Sequence, residues 1–204
     1  MTWMTFPMPA REVRKLHREL LSANWYKLEK VSYEMQREDG SWESQTREAY
    51  DRGNGAALLL YNLEKKTVIL TRQFRLPTYL NGNDSGYLIE ICAGLLDRED
   101  PEAAIRKEAE EETGYRIEQV EKVFEAYMSP GSVTELLHFF IAPYRESMKL
   151  SEGGGLEEEQ EYIEVLDVLF DRAFEWIKTG EIRDAKTLML LQYLQLKFDL
   201  PRIK

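Results

Sequence analysis

The 204-residue sequence predicts an α/β fold with a mixed sheet, and three observations support this class. Two apolar runs, 56–62 and 67–74, have the composition of buried strands. A helix with clear start and stop signals follows at 101–113, and strand patterns return after it. Two more helices end the pattern, which is typical of helices packed on the faces of one sheet.

Composition and charge exclude several classes of protein. Hydrophobic residues make up 43% of the chain and charged residues 31%, as in ordinary globular proteins. The net charge of −10 argues against nucleic acid and anionic membranes as partners. No stretch approaches the ~18 consecutive apolar residues of a membrane helix, and the first residues lack the order of a signal peptide. We therefore expect a cytoplasmic protein, in which the single cysteine, Cys92, is a small buried residue.

The chain is predicted to divide into an N-terminal region, 1–52, and a main domain, 53–204. The region is predicted to begin with an amphipathic helix at 10–21, because Val13, Leu16 and other apolar residues recur at helical spacing among basic ones. Docking or dimer packing is the favoured role of this helix over membrane contact, because the segment is short and the chain is acidic.

A long β-hairpin is predicted to complete the N-terminal region. Strand patterns at 25–35 and 42–50 are separated by a turn sequence at 38–41. The hairpin has few of the continuous apolar runs that a core strand needs, so it is predicted to lie across a neighbour.

The helix at 101–113 lies between a strand predicted at 87–93 and further strands. Asp100 is a good N-cap, Pro101 suits the first helical position, and Gly114 is the usual residue just past a helix end.

Three carboxylates stand side by side on this helix. Glu108, Glu111 and Glu112 have i, i+3 and i+4 spacing, and Glu108 and Glu112 flank the apolar stripe and lean towards the protein. Acids placed there are costly unless a cation joins them, and oxygen ligands suit Mg²⁺ or Mn²⁺. The alternative is a solvated acidic face.

The spacing of these acids resembles the Nudix box. Two departures occur: the loop after the first glycine has four residues instead of five, and a lysine replaces the usual arginine. The first acidic position can therefore be assigned to Glu99 or to Asp100. The matching positions are Gly94, Glu99, Lys107, Glu108, Ala109, Glu111, Glu112, Gly114 and Tyr115.

Strands are predicted after the box at 118–128 and 133–143, and Glu135 lies in line with the apolar face of the second. An acidic, Gly-rich loop follows at 152–161, for which a mobile solvated loop is the default interpretation. A strand at 163–169 comes next.

Two further helices are predicted near the C-terminus from capping and termination signals. The first is predicted to be capped by Asp171 and to end at Gly180. The second is predicted to be capped by Asp184 and to run to about Phe198.

The resemblance implies a Nudix α/β/α sandwich and a Mg²⁺-dependent pyrophosphatase, with Mn²⁺ as a possible substitute. Short runs such as RQFR, MSPG and GEIRD resemble the branch that acts on nucleoside diphosphate sugars, and within it the GDP-mannose hydrolases. GDP-mannose is the first choice of substrate, and ADP-ribose is the alternative. A non-catalytic nucleotide-binding protein on a degenerate scaffold is the rival from another class, although such proteins are expected to lose carboxylates of the box.

The resemblance also implies roles for individual residues. Metal would be bound by Glu108, Glu112 and the carbonyl of Ala93, with Glu111 assisting catalysis. The carboxylate that serves the attacking water would be Glu159 or Glu161, depending on the direction of alignment. The N-terminal strands would exchange in a homodimer. The positions expected to contact the nucleotide sugar are Trp25, Arg47, Glu48, Arg75, Gly94, Glu135 and Lys186.

Three of these substrate contacts have simpler alternatives. Trp25 could stack on a base, but an aromatic residue at the start of a strand also packs. Lys186 could equally be a solvent-exposed lysine. The alternative for Arg75 is a surface salt bridge. A guanidinium fork suits phosphate oxygens, and Arg75 is favoured as a phosphate ligand because the relatives that this chain resembles keep an arginine there.

Overall fold

A computed structural model describes residues 11–96, 98–156 and 161–200. The chain forms two compact units. Of the described residues, the first unit contains those up to Arg52 together with Ser129–Glu135, and the second contains those between Gly53 and Met128 and those from Leu136 onwards.

The first unit is a three-stranded antiparallel sheet in the order β1 (Val13–Ala23), β2 (Lys27–Gln36) and β3 (Trp42–Asp51). Strands β2 and β3 form the predicted hairpin, whose turn contains Gly40 at φ 80°. Segment Ser129–Glu135 adds to this unit along β3, since the Tyr50 amide donates to the Ser132 carbonyl at 2.7 Å.

The predicted helix at 10–21 is wrong, because most of this stretch is strand β1. Register shifts between Arg14 and His17 and between Leu20 and Ser22 interrupt the two-residue alternation of β1, which makes its apolar spacing resemble that of a helix. Basic residues of β1 pair with acids on β2, for example Arg14 Nε with Glu34 at 2.7 Å. The pairing of β1 with β2 therefore determines that this stretch is a strand, and a short window of sequence around β1 does not contain these partner residues.

The second unit is built on a seven-stranded sheet. Its path is β10-β5-β4-β9-β8, with β6 paired to β5 and β7 paired to β4. Strands β4 and β9 are parallel and the other pairs are antiparallel, which confirms the predicted mixed sheet. The strands are β4 (Gly55–Asn62), β5 (Thr67–Phe74), β6 (Tyr87–Glu90), β7 (Cys92–Leu95), β8 (Glu121–Tyr127), β9 (Leu136–Pro143) and β10 (Glu164–Leu169).

Four α-helices accompany this sheet in the described chain: α1 (Leu76–Leu80), α2 (Pro101–Thr113), α3 (Phe170–Thr179) and α4 (Ala185–Lys197). Helix α1 was not predicted. Helix α2 has the predicted limits, with the Asp100 carboxylate accepting hydrogen bonds from two amides of the first turn and Gly114 in the left-handed conformation at φ 79°. None of these helices is both long and apolar enough to cross a membrane.

The predicted cap of α3 is wrong. Strand β10 runs directly into the helix, so Leu169 occupies the N-cap position and makes no side-chain capping bond. Asp171 instead lies in the first turn, where its charge favours the positive end of the helix dipole. Helix α3 ends at Gly180 and α4 begins after Asp184, both as predicted.

Strand β4 divides the core into two layers, because its side chains alternate between the two faces of the sheet. Ala56, Leu58 and Leu60 pack in one cluster with residues of α2. Their neighbours Ala57, Leu59 and Tyr61 pack in another cluster with residues of α3 and α4. The α/β/α sandwich is therefore confirmed.

Candidate functional site

The box carboxylates Glu108 and Glu112 lie where strand β7 meets helix α2. Glu112 is 3% exposed, and its Oε2 accepts a hydrogen bond from the Ala93 amide at 3.3 Å. The Glu108 carboxyl group lies against Gly94, so closely that a Cβ atom at that position would overlap it. The first glycine of the box is therefore required by the close approach of a helix side chain to β7.

Negative charge is crowded around Glu112. Burial raises the pKa of its carboxyl group to about 8, and the charges of Glu108 and Glu161 add to this increase, against a hydrogen bond with Cys92 that lowers it. The pKa of the buried Cys92 thiol is raised well above its ordinary value, by burial and then by Glu112. A cation at this position would remove the electrostatic cost.

The donor set at this position fits a hard divalent cation. Within residues 11–96, 98–156 and 161–200, no three His, Cys, Asp or Glu side chains form a cluster that could hold a metal on their own. Glu108 and Glu112 supply carboxylate oxygens, and the carbonyl of Ala93 would add a backbone oxygen. Water and substrate oxygens usually complete the shell of Mg²⁺, which is seldom enclosed by protein alone.

Glu111 has a different environment from its two neighbours. Its carboxylate lies 3.5 Å from the Lys107 ammonium, and its side chain is 26% exposed. The lysine that replaces the usual arginine of the box therefore pairs within α2. Of the two residues considered for the first acidic position, Asp100 is engaged as the helix cap, whereas Glu99 is exposed.

The Gly-rich loop docks on the end of α2. The Gly154 amide donates to the Glu112 carbonyl at 2.9 Å, and the Gly155 amide donates to the Glu111 carbonyl at 3.2 Å. These bonds satisfy carbonyls that a helix end leaves without partners. The loop thereby brings Glu161 near enough to affect the Glu112 pKa, whereas Glu159 lies outside the described residues.

A second charged cluster contains Arg75 and Lys186, two of the predicted substrate contacts. Both bind Glu90, a residue that the sequence analysis did not identify. The Arg75 guanidinium donates from Nε and Nη2 to the two Glu90 oxygens at 3.0 and 2.9 Å. Lys186 Nζ donates to Glu90 at 2.9 Å and to Asp184 at 2.8 Å. A glutamate within the apolar strand sequence YLIEICAG was the available signal.

The two cations keep Glu90 ionised. Burial by itself would raise the Glu90 pKa, but Lys186 and Arg75 outweigh it and lower the pKa to about 2. The pKa of Lys186 is raised, because Glu90 and Asp184 outweigh a burial effect that lowers it.

Apart from Gly94, the other predicted substrate contacts lie in the first unit. Trp25 is in the turn between β1 and β2, where it is 84% exposed and contacts Tyr26 edge-on. Arg47 and Glu48 are exposed neighbours on β3, so their side chains point to opposite faces. Glu135 precedes β9 and lies 3.6 Å from Arg52. Within this chain, the Trp25 side chain is therefore mostly uncovered.

Comparison with known proteins gives matches along most of the chain. Residues 12–50 match the model of the GDP-mannose pyrophosphatase NudK N-terminal domain, and residues 51–191 match the NUDIX domain model. A GDP-mannose pyrophosphatase of Escherichia coli O1:K1 / APEC is 58% identical over 178 residues, covering 87% of this chain and 92% of that protein. One from Shigella dysenteriae serotype 1 (strain Sd197) is 55% identical over 186 residues, covering 91% and 96%.

A solved structure supports the fold. The crystal structure of an ADP compounds hydrolase matches with a TM-score of 0.69 and 16% identity, covering 93% of this chain and 94% of that one.

Proposed function

The chain belongs to the NUDIX hydrolase family, and from this membership we propose that it is a Mg²⁺-dependent pyrophosphatase that hydrolyses GDP-mannose to GMP and mannose 1-phosphate. The observation that carries the proposal is the similarity to proteins named GDP-mannose pyrophosphatase. That similarity extends through both units, including the N-terminal sheet that has its own family model.

Nudix hydrolases generally use divalent metal ions. In this chain Glu108, Glu112 and the Ala93 carbonyl would hold the ion, with Mg²⁺ favoured by an all-oxygen donor set and Mn²⁺ as a substitute. A bound ion would supply Lewis-acid stabilisation of the charge that develops on the phosphate oxygens.

The side chains of the second unit have separate tasks in the hydrolysis. Arg75 and Lys186 bind diphosphate oxygens through N–H groups that remain beyond their bonds to Glu90. Glu161 or Glu159 accepts a proton from the water that attacks one phosphorus atom, with Glu111 assisting. The new P–O bond forms as the bridging P–O bond breaks, which yields the two phosphomonoesters.

The nucleoside and the sugar are assigned to the remaining predicted residues. Trp25 would stack on the guanine ring, for which its exposed indole is suited. Arg47, Glu48 and Glu135 would supply polar contacts, and Gly94 would contact the substrate through its backbone.

A homodimer belongs to the same proposal. Strand β1 is an edge of the N-terminal sheet and exposes Val13, Leu16 and Leu20 by 53%, 54% and 59%. Such an edge with apolar side chains offers pairing to a second copy of the chain. Sedimentation should give twice the mass of the chain, and a monomeric mass would remove this part of the proposal.

A hydrolysis panel tests the substrate. The protein is incubated with Mg²⁺ and GDP-mannose, ADP-ribose or ADP-glucose, and the nucleotides are separated by chromatography. We expect GMP from GDP-mannose as the fastest product. Faster release of AMP from ADP-ribose would replace the proposed substrate, and an absence of turnover with every compound would favour a nucleotide-binding protein.

A further inference from the structure

We propose that Glu90 is a positioning residue that holds Arg75 and Lys186 together as a preformed clamp for the diphosphate group. The inference rests on the proposed function in that it takes a nucleoside diphosphate as the ligand of this cluster. It assigns a role to a residue outside the Nudix box.

The shared carboxylate makes the two cations neighbours. Both Arg75 Nη2 and Lys186 Nζ lie 2.9 Å from the same oxygen, Glu90 Oε2. Without the negative charge of Glu90, two positive groups would face each other in a poorly solvated place and repel. Glu90 therefore permits a concentration of positive charge that the cations could not maintain alone.

The cations are not saturated by Glu90. It engages the Nε and Nη2 side of the Arg75 fork, which leaves Nη1 for another acceptor. Lys186 has three N–H donors, of which Glu90 and Asp184 take two. The Arg75 side chain is 38% exposed while that of Glu90 is 2% exposed, so a buried carboxylate holds an arginine that is still partly accessible to solvent.

The clamp is attached to the framework at two places. Glu90 ends β6 and pairs with Thr71 of β5. Asp184 caps α4 by accepting from the Thr187 amide at 2.9 Å, and the Thr187 hydroxyl accepts from the Ile91 amide at 2.8 Å. Ile91 lies between β6 and β7, where the chain changes from pairing with β5 to pairing with β4. Side chains held in this way lose little freedom when an anion binds.

The experiment measures binding of GDP by calorimetry in the presence of Mg²⁺, so that it does not depend on turnover. Glu90→Gln keeps the size of the side chain but removes its charge and directs an NH₂ group at cations that cannot accept a hydrogen bond. We expect GDP affinity to fall by about tenfold to a hundredfold, the range for a misplaced charged donor. Glu164→Gln is the matched control, because Glu164 pairs with Arg72 on the neighbouring strands and is half exposed.

A second background separates positioning from a purely structural role. In the Arg75→Gln/Lys186→Met protein, Glu90→Gln should change GDP affinity by less than about twofold, because no cation remains to be positioned. Adding Glu90→Gln to the double variant should also raise its melting temperature, because the double variant contains a buried Glu90 carboxylate without its two cationic partners. An equal loss of affinity in both backgrounds, or an unchanged affinity in the otherwise native protein, would overturn the inference.

Different results would refute the proposed substrate and the proposed role of Glu90. A native protein that binds GDP in a Glu90-dependent manner but does not hydrolyse GDP-mannose would refute the proposed substrate and support the clamp. A native protein that hydrolyses GDP-mannose with Glu90→Gln leaving GDP affinity intact would support the substrate and overturn the clamp.

Discussion

Replacing Gly94 by alanine should separate metal binding from stability. The new Cβ atom would overlap the carboxyl group and the Cγ atom of Glu108, a flexible side chain on α2. The whole Glu108 side chain must therefore take another rotamer, and the cost in unfolding free energy should be about 1–3 kcal/mol. The displaced carboxylate can no longer serve a metal at this place, so divalent-ion affinity should fall by at least about tenfold.

The assay for Gly94→Ala is a Mn²⁺ titration followed by electron paramagnetic resonance, together with thermal unfolding. Gly131→Ala is the matched control, because a Cβ atom at Gly131 meets nothing within 4 Å and its backbone is not in the left-handed region. The control should leave Mn²⁺ affinity unchanged. Unchanged Mn²⁺ affinity in a folded Gly94→Ala protein would refute the reasoning about Glu108.

Three further predictions concern Glu112 and Thr187 in the second unit and Trp25 in the N-terminal sheet. The pKa of Glu112 is about 8 in the folded protein against an ordinary 4.5, so between these pH values the folded state holds a proton that the unfolded state has lost. The metal-free protein should therefore lose on the order of a few kcal/mol of stability as the pH rises from 4.5 to about 8. Glu112→Gln should abolish this slope in urea unfolding with EDTA, and a persistent slope would contradict the assignment. Thr187→Val should cost about 1–3 kcal/mol in urea unfolding by leaving the Ile91 amide without its acceptor. Thr187→Ser should cost less, and equal costs would exclude a role of the hydroxyl. Trp25→Ala should raise the KM for GDP-mannose by about tenfold, because stacking on the base is lost, and Trp25→Phe should raise it by less. An unchanged KM for Trp25→Ala would show that the indole does not contact the substrate.

The central helix could be predicted from sequence because its signals are local. Asp100, Pro101 and Gly114 act within one turn of the helix ends, and the observed limits of α2 agree with them. The buried strands β4 and β5 could likewise be predicted from continuous apolar runs. Strand β1 could not be predicted in this way, because its basic and apolar residues fit a strand only when they are paired with the residues of β2.

A motif with fixed spacing lets the sequence alone place two carboxylates on one face of a helix, whereas a residue whose partners are distant in the chain gives no such signal. Glu108 and Glu112 belong to such a motif. Glu90 joins Arg75, 15 positions earlier, and Lys186, 96 positions later, so its role depends on tertiary contacts. The reason for Gly94 also required the structure, because it is the position of the Glu108 carboxyl group that excludes a side chain.

Phosphorus NMR of GDP-mannose tests most directly whether the box carboxylates support hydrolysis of the diphosphate. With native protein and Mg²⁺, the diphosphate signals should be replaced by two phosphomonoester signals, those of GMP and mannose 1-phosphate. Neither EDTA-treated protein nor Glu112→Gln should give this change. Equal conversion by Glu112→Gln, or conversion by the native protein without a divalent ion, would contradict the account.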